Sequence, residues 1–353
     1  MKLSRPGARG ARLSAVVAVA AAASLALSAC GSSEDDATGG DEGLGDLTVQ
    51  LSWIKNAEFA GEFMADSKGY YTDAGFSSVT LNAGPGATEN LVASGEADFG
   101  LTNAVTVGQV VANEEAPIKI VGTTFQKNPF TILSLKDGGN IATPEDLKGK
   151  KIGVQDGGNA LLFAALLAAN GISEDELTIV PVQYDPSPLV NGEVDGFLAY
   201  VTNESIIVES QGLAVTNLLF AENGLPFVAE SIIATDETIA ERPDVVKAFL
   251  EAEIKGWKDA CADVEGSAQY AVDTYGEEFG LELDKEIAQN STQCETLINT
   301  DETAENGLFT ISDSLLEQNL TTFEAAGIDV AAEDVFDLSL LEELLEEKPE
   351  LKG

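Results

Sequence analysis

The strongest constraint on the fold is a series of short apolar strands alternating with helical segments, which runs once along the chain and then restarts. The first series places strands at residues 47–51, 79–81, 97–101 and 118–125. The second places them at residues 151–154, 177–183, 194–198 and 215–220. Strands that alternate with helices usually form a parallel sheet covered by helices on both faces. The sequence therefore predicts an α/β protein with two lobes.

The division into lobes follows from where each series begins and ends. Residues 47–138 and 228–353 are predicted to form lobe 1 with the C-terminal helices, and residues 139–227 to form lobe 2. The apolar segment 227–235 is predicted to return as a strand of the first lobe. Two α/β lobes joined by two crossings form a hinged clamshell. Ligands bind beyond the carboxyl ends of strands in open α/β sheets, so binding residues are expected in the loops that follow the strands.

The N-terminal segment has the pattern of an export signal. Lys2, Arg5, Arg9 and Arg12 precede an almost wholly apolar stretch at residues 13–27, which ends in the string Leu27-Ser28-Ala29-Cys30. This pattern resembles a bacterial lipoprotein signal peptide over residues 1–29, which implies cleavage before Cys30 and acylation of its thiol. The alternative, a membrane anchor, needs roughly 20 apolar residues. Residues 30–46 are predicted to be a flexible acidic tether, so we expect an extracytoplasmic, lipid-anchored protein.

The charge of the chain narrows the possible partners. After the leader, 15 lysines and arginines stand against 60 acidic residues, which excludes nucleic acid as a partner. Solubility in a salty or acidic habitat is the interpretation we favour for this excess. Arg242 is the only arginine after the leader. Because oxyanion sites commonly depend on arginine, this argues against nitrate, sulfonate or phosphate as a ligand, although backbone amides at helix starts could replace it.

The absence of histidine removes the commonest general base and metal ligand from the whole chain. Serine–histidine–aspartate and cysteine–histidine catalysis are therefore excluded, and no metal or cofactor is expected. Cys261 and Cys294 are the remaining cysteines after Cys30, and in an oxidising compartment we expect them to form a disulfide.

Candidate ligand-binding residues lie in the predicted loops and at their edges. They combine aromatic rings, amides, carboxylates and glycines: Trp53, Asn56, Glu58, Gly84, Gly86, Thr102, Asn103, Gln155, Gly157, Asn159, Tyr200, Asn203 and Glu204. An aromatic ring such as Trp53 can stack on a flat heteroaromatic ligand, and paired amides suit the edge of a pyrimidine. Several of these residues also have purely structural interpretations. Trp53 could pack between helix and sheet, Asn203 and Glu204 could cap a helix, and the glycines could form turns.

Several strings resemble one group of solute-binding proteins of ABC importers. Residues 94–100 (SGEADFG) and 147–154 (LKGKKIGV) are typical of the superfamily as a whole. The strings Trp53…Asn56…Phe59-Ala60-Gly61 and Tyr200…Asn203-Glu204 resemble more narrowly the branch named for thiamine-pyrimidine synthase. That branch includes binders of formylaminopyrimidine and of riboflavin-like compounds. The similarity extends over roughly residues 47–320.

The resemblance implies a type II periplasmic-binding-protein clamshell, present as a monomer, that traps a small molecule and delivers it to an ABC permease and its ATPase. A thiamine pyrimidine precursor is the first expected ligand and a flavin the second, and an alkanesulfonate, nitrate or other small anion is the remaining alternative. The synthases of this family consume one of their own histidines and use pyridoxal phosphate bound to a lysine. This chain has no histidine, so the resemblance favours a binding protein over an enzyme.

Overall fold

The computed structural model describes residues 43–84 and 86–352. The expected signal peptide, Cys30 and residues 31–42 of the predicted tether lie outside the described residues. The tether was predicted to extend to residue 46, but Gly45 and Asp46 already belong to the first strand. Within the part that is described, no helix is both long enough and apolar enough to cross a membrane.

The described chain contains ten strands and fifteen α-helices, besides short 3-10 and π-helical segments. The strands are β1 Gly45–Gln50, β2 Phe76–Asn82, β3 Phe99–Thr102, β4 Ile118–Phe125, β5 Phe130–Leu135, β6 Lys151–Val154, β7 Thr178–Pro181, β8 Gly196–Tyr200, β9 Val215–Leu219 and β10 Ala229–Thr235. The helices are α1 Ala60–Ser67, α2 Tyr70–Asp73, α3 Thr88–Ala93, α4 Ala104–Glu114, α5 Gly158–Ala169, α6 Ser187–Val190, α7 Glu204–Ser210, α8 Asp236–Glu241, α9 Pro243–Ala262, α10 Val264–Tyr270, α11 Leu283–Gln293, α12 Asp301–Asn306, α13 Asp313–Ala325, α14 Ala332–Val335 and α15 Ser339–Glu347.

These strands form two five-stranded sheets, with orders β2-β1-β3-β10-β4 and β7-β6-β8-β5-β9. In the first sheet β1 pairs in parallel with β2 and β3, whereas β10 is antiparallel to both β3 and β4. In the second, β6 pairs in parallel with β7 and β8, whereas β5 is antiparallel to β8 and β9. Each sheet therefore has one reversed strand, and the expected α/β fold with mostly parallel sheets is confirmed.

The reversed strands are those that enter a sheet from the other one. The chain leaves β4 at its carboxyl end, crosses, and enters the second sheet as β5; it later leaves β9 and enters the first sheet as β10. A strand that enters from the cleft side must run against its neighbours. The return of residues 227–235 to the first sheet is confirmed, because β10 lies between β3 and β4.

The boundary between the sheets differs from the predicted one at residue 138. Strand β5, at Phe130–Leu135, pairs within the second sheet, so the first crossing comes before Phe130. The Asn128 side chain lies at this crossing, where its Nδ2 donates to the carbonyl of Leu225 on the second crossing at 2.7 Å. The assignment of residues to lobes stays a prediction, with the first crossing now placed at residues 126–129.

Close helix packing stabilises the first sheet's side of the protein. Helix α9 packs on α1, where a Cβ on Gly61 would lie 2.3 Å from the Trp257 ring, and one on Gly256 would lie 2.2 Å from the Gly61 carbonyl oxygen. Glycine at both positions is therefore what lets these helices approach. The expected disulfide between Cys261 of α9 and Cys294, just after α11, is present.

Candidate functional site

A cavity of about 220 Å³ lies between the two sheets, where the carboxyl ends of most strands meet. Residues from both sheets line it: Ser52, Trp53, Glu58, Gly86, Thr88, Glu89, Thr102, Asn103, Thr106, Phe130, Gln155, Gly158, Asn159, Tyr184, Leu198, Ala199, Tyr200, Asn203, Glu204 and Glu230. We call this the inter-sheet cavity.

Most of the residues predicted from the sequence lie on its wall. The structure brings together Trp53, Glu58, Gly86, Thr102, Asn103, Gln155, Asn159, Tyr200, Asn203 and Glu204. Their contact with a ligand stays a prediction.

Asn56, Gly84 and Gly157 are not among the lining residues of this cavity. Asn56 is buried and caps the short 3-10 turn at Ala57–Phe59 by accepting a hydrogen bond from the Glu58 amide at 3.2 Å. A Cβ on Gly84 would lie 2.7 Å from the backbone of Ser52, so glycine there lets two loops touch. Gly157 precedes α5 with a φ of 79°, which favours glycine.

Aromatic rings enclose the inter-sheet cavity from both sheets. Trp53 follows β1 and meets Tyr184, which follows β7, edge to face with the ring centroids 4.4 Å apart. Tyr200, at the end of β8, meets Phe130, at the start of β5, in the same manner at 4.6 Å. Trp53 also packs, partly buried, against an apolar core that includes Phe59 and Phe249, so it has a structural role, and its stacking on a ligand stays a prediction. A flat ligand would find π-faces on this wall.

Two buried carboxyl groups share the floor of the cavity. Glu58 and Glu230 are 2% and 3% exposed, and their carboxyls lie close enough to share a hydrogen bond when one of them is protonated. Burial, followed by the charge of Glu230, raises the pKa of Glu58 well above its usual value. Burial raises the pKa of Glu230 to about 7, against the opposing hydrogen bond from the Ser52 hydroxyl, whose length is 2.8 Å. Near neutral pH this pair can accept or donate a proton or a hydrogen bond.

Glu204 is a third buried carboxyl on the wall. Its Oε2 accepts from the Tyr200 amide at 2.8 Å, and its Oε1 accepts from Asn203 Nδ2 at 3.3 Å. Burial raises the pKa of Glu204 to about 7, although hydrogen bonds from the backbone amides of Tyr200 and of Glu204 itself oppose the shift. Asn203 precedes α7 but makes no side-chain capping bond, so the capping interpretation of Asn203 is not supported.

Polar side chains elsewhere on the wall are held in place by their neighbours. Gln155 Nε2 donates to the Leu198 carbonyl and its Oε1 accepts from Asn159 Nδ2, each at 3.0 Å. Asn103 does cap its helix, since its Oδ1 accepts from the Thr106 amide at 3.0 Å. These hydrogen bonds hold the side chains in fixed directions, as a preorganised binding site requires.

Sequence reasoning missed several residues of the wall, above all Phe130 and Glu230. Both stand at the starts of reversed strands, which bring their beginnings rather than their ends to the cleft. A signal was present for Glu230, because it is the one acidic residue in the apolar segment 227–235. Its φ of 45° is unusual for a residue other than glycine, and such strain concentrates at functional sites. Tyr184, Ser52 and Glu89 carried no comparable signal.

Comparison with curated proteins gives three relevant relatives. The chain is 28% identical over 301 residues to the riboflavin-binding protein RibY of Chloroflexus aurantiacus, covering 82% of this chain and 83% of that protein. It is 28% identical to the 4-amino-5-hydroxymethyl-2-methylpyrimidine phosphate synthase of Schizosaccharomyces pombe, covering 68% and 72% respectively. It is 21% identical to the formylaminopyrimidine-binding protein of Halalkalibacterium halodurans, covering 66% and 72%.

Solved structures confirm the periplasmic-binding-protein fold. A putative periplasmic sulfonate-binding protein SsuA of Methylobacillus flagellatus matches with a TM-score of 0.62 at 18% identity, covering 87% of this chain and 96% of that one. The periplasmic nitrate-binding protein NrtA of Synechocystis matches with a TM-score of 0.62 at 14% identity, covering 87% and 91%.

The family comparison is more specific than the fold. The model described as NMT1/THI5 like matches residues 56–266, which include most of the inter-sheet wall and both crossings. The chain is a solute-binding protein that belongs to the NMT1/THI5-like family.

Proposed function

We propose that this protein is the extracytoplasmic receptor of an ABC importer, tethered through a lipid on Cys30, and that it captures a flat, nitrogen-containing heteroaromatic molecule between its sheets. A thiamine pyrimidine precursor or a related vitamin is the ligand class. The protein then delivers this molecule to a membrane permease driven by an ATPase.

One observation carries the proposal: the inter-sheet cavity combines aromatic rings with buried carboxyls. Among its described lining residues are Trp53, Tyr184 and Tyr200, and four glutamates, but neither lysine nor arginine. Rings supply stacking surfaces for a flat molecule, whereas carboxylates accept hydrogen bonds from ring N–H and amino groups. Relatives that bind riboflavin and formylaminopyrimidine support the same ligand class.

Different residues bind different parts of the ligand. Trp53 stacks on the ring, while the Glu58–Glu230 pair accepts from N–H groups on one edge of the ligand. Asn203 and Glu204 bind the other edge from the second sheet. A ligand held in this way joins residues from both sheets, which couples its binding to closure of the cleft.

We further propose that the protein does not act as an enzyme. The sequence has no histidine, whereas the synthases that it resembles consume one. If the protein only binds its ligand, the ligand should be recovered unchanged. Mass spectrometry of the released molecule would check this.

A small-anion receptor is the competing function, because solved relatives of the same fold include sulfonate and nitrate binders. The charge of the cavity argues against it. An anion beside Glu58, Glu204 and Glu230 would require these groups to stay protonated, and no described lysine or arginine on that wall offsets its charge.

Equilibrium binding to purified protein would test the proposal. The panel contains riboflavin, lumichrome, formylaminopyrimidine, 4-amino-5-hydroxymethyl-2-methylpyrimidine, nitrate and an alkanesulfonate, read first by thermal shift and then by calorimetry. We expect at least one heteroaromatic to raise the melting temperature and neither anion to do so. Tight binding of an anion alone would refute the heteroaromatic ligand class.

A further inference from the structure

A second cavity of about 320 Å³ adjoins the first. It lies between the loop after β7 and helix α7 on one side and helix α11 on the other. Its described lining residues are Trp53, Ile54, Asn56, Tyr184, Asp185, Pro186, Thr202, Asn203, Glu204, Ile206, Ile207, Gly280, Leu281, Glu282, Lys285, Glu286 and Gln289. We call it the side cavity.

The two cavities share part of their wall. Trp53, Tyr184, Asn203 and Glu204 line both, and the edge-to-face contact of Trp53 with Tyr184 stands between them. Tyr184 is 37% exposed and sits in the loop between β7 and α6. The shared wall makes the two cavities neighbours that one ligand can occupy together.

Two polar atoms at the side cavity are buried without a hydrogen-bond partner in the described structure. They are the Thr202 hydroxyl and Gln289 Nε2, on residues that are 0% and 3% exposed. Leaving such groups unpaired costs free energy, and native proteins rarely tolerate it without a purpose. One is an amide donor and the other both donates and accepts, and a ligand hydroxyl can satisfy either of them.

The charge around the side cavity selects against anions. Asp185, Glu204, Glu282 and Glu286 line it together with a single lysine, Lys285. Lys285 Nζ is already paired with Glu282 Oε1 at 2.8 Å, so its charge is largely satisfied. A neutral group that donates hydrogen bonds suits this lining, whereas a phosphate would meet uncompensated carboxylates.

We propose that the side cavity binds a neutral, hydroxyl-bearing tail of a ligand whose heteroaromatic ring occupies the inter-sheet cavity. The inference rests on the proposed function and adds to it that the ligand is bipartite. Thr202 and Gln289 then recognise the tail, and the Trp53–Tyr184 pair marks the point where the tail leaves the ring.

Flavins offer matched probes, because lumichrome is the ring without a tail, riboflavin adds a neutral polyol, and flavin mononucleotide adds a phosphate to that tail. Their dissociation constants would be measured for the wild type, Thr202→Val and Gln289→Leu. We expect riboflavin to bind about tenfold or more tighter than lumichrome, and flavin mononucleotide more weakly than riboflavin. Each variant should weaken riboflavin about threefold to tenfold and leave lumichrome unchanged.

The lumichrome affinity of each variant also reports that its inter-sheet cavity is intact. Thr321→Val, which removes an exposed hydroxyl on α13 that lines neither cavity, is the control and should change neither flavin's affinity. Equal affinities for riboflavin and lumichrome, or a loss in Thr202→Val and Gln289→Leu that is the same for both, would overturn the inference alone. Binding of the pyrimidines without riboflavin would also overturn the inference alone, whereas failure of every ring to bind would overturn the proposed function with it.

Discussion

The indole ring of Trp53 contacts the phenol ring of Tyr184 edge to face across the cleft, although the two residues follow strands of different sheets. This contact closes one side of the inter-sheet cavity and borders the side cavity. A ligand that stacks on Trp53 therefore competes with, or adds to, an aromatic contact already present. The affinity of the protein for its ligand will depend on both rings.

Replacement of Trp53 by alanine should weaken heteroaromatic binding. Loss of one stacking surface costs roughly 1–3 kcal/mol, or about one to two decades in the dissociation constant. Because Trp53 is only partly buried, the melting temperature of the empty protein should change little. Calorimetric titration and thermal unfolding would measure the two quantities separately.

Trp257 supplies the matched control for that experiment. It is 1% exposed, lies against Gly61 and contacts neither cavity. Trp257→Ala should therefore lower stability by about 3–5 kcal/mol and spare affinity in the protein that stays folded. The reverse pattern, with Trp53→Ala unstable and still binding normally, would identify Trp53 as a core residue.

Ligand affinity should depend on pH near neutrality. The pKa values of Glu204 and Glu230 are each raised to about 7 by burial, so both carboxyls ionise as the pH rises from 6 to 8. Ionised carboxylates are better acceptors for ligand N–H groups, and affinity should increase by up to about tenfold per pH unit for each proton released. Titrations in buffers with different ionisation enthalpies would count these protons.

Glu230→Gln should weaken binding and reduce this pH dependence to the part that Glu204 contributes, because glutamine cannot ionise. The exposed Glu209, on α7, provides the control, since Glu209→Gln should preserve the slope. An affinity that falls as the pH rises would show that the ligand accepts, rather than donates, hydrogen bonds at this pair.

The stability of the protein should decrease as the pH rises from about 5 to 8. Glu62 of α1 and Glu253 of α9 form a second buried carboxyl pair, and burial raises the pKa of Glu253 to about 8 and that of Glu62 well above its usual value. A folded state with raised carboxyl pKa values holds protons that the unfolded state releases. Its free energy of unfolding therefore falls as the pH rises through this window.

Glu253→Gln should reduce the fall of stability with pH, because an amide does not titrate. The glutamine can still accept a hydrogen bond from Tyr71 and donate one to Glu62, so the packing of the pair should be kept. Urea unfolding at pH 5 and pH 8 would measure the effect, with Glu209→Gln again as the exposed control. A protein more stable at pH 8 than at pH 5 would contradict the expectation.

Removal of the disulfide should destabilise the protein. The bond closes a sequence separation of 33 residues, for which loss of the crosslink costs roughly 3–4 kcal/mol through the unfolded chain. Cys261→Ser together with Cys294→Ser should lower the free energy of unfolding by that amount in denaturant titrations. Reducing agent should shift the wild type toward the variant and leave the variant unaffected; equal stability of both proteins would count against the prediction.

Lipid attachment should depend on Cys30. With Cys30→Ser, we expect the protein to stay unprocessed or to leave the membrane fraction, because serine lacks the thiol that carries the lipid. Metabolic labelling with a fatty acid and fractionation of cells would detect either outcome. Undiminished labelling of the variant would place the lipid elsewhere.

Much of the fold follows from local pattern, because apolar strands and helix signals alternate at the spacing that parallel sheets require. The strand Phe130–Leu135 was not predicted, since it enters its sheet immediately after a crossing and no helix precedes it. Its membership of the second sheet depends on pairing with strands that come some 65 to 85 residues later, and local pattern does not encode this.

In the candidate site, too, some residues were predicted from local sequence and others depend on the topology of the sheets. Residues that follow forward strands, such as Trp53 and Asn103, were found by a rule about carboxyl ends. Phe130 and Glu230 escaped that rule because their strands run the other way. The side cavity was not predicted either, since Gln289 and Thr202 come to line one cavity only through the packing of α11 against the second sheet's side.

One apolar core extends through both sheets, and this has a consequence for how the protein melts. Its buried members include Ile120 of the first sheet, Ile132 of the second, and Phe323 of α13, so a single cluster extends through both sheets. Neither sheet can lose its packing without exposing apolar surface of the other, and this links the two in one cooperative unit. Scanning calorimetry should accordingly give one transition whose calorimetric and van't Hoff enthalpies agree, and a ligand bound in the cleft should move that whole transition rather than one half of it.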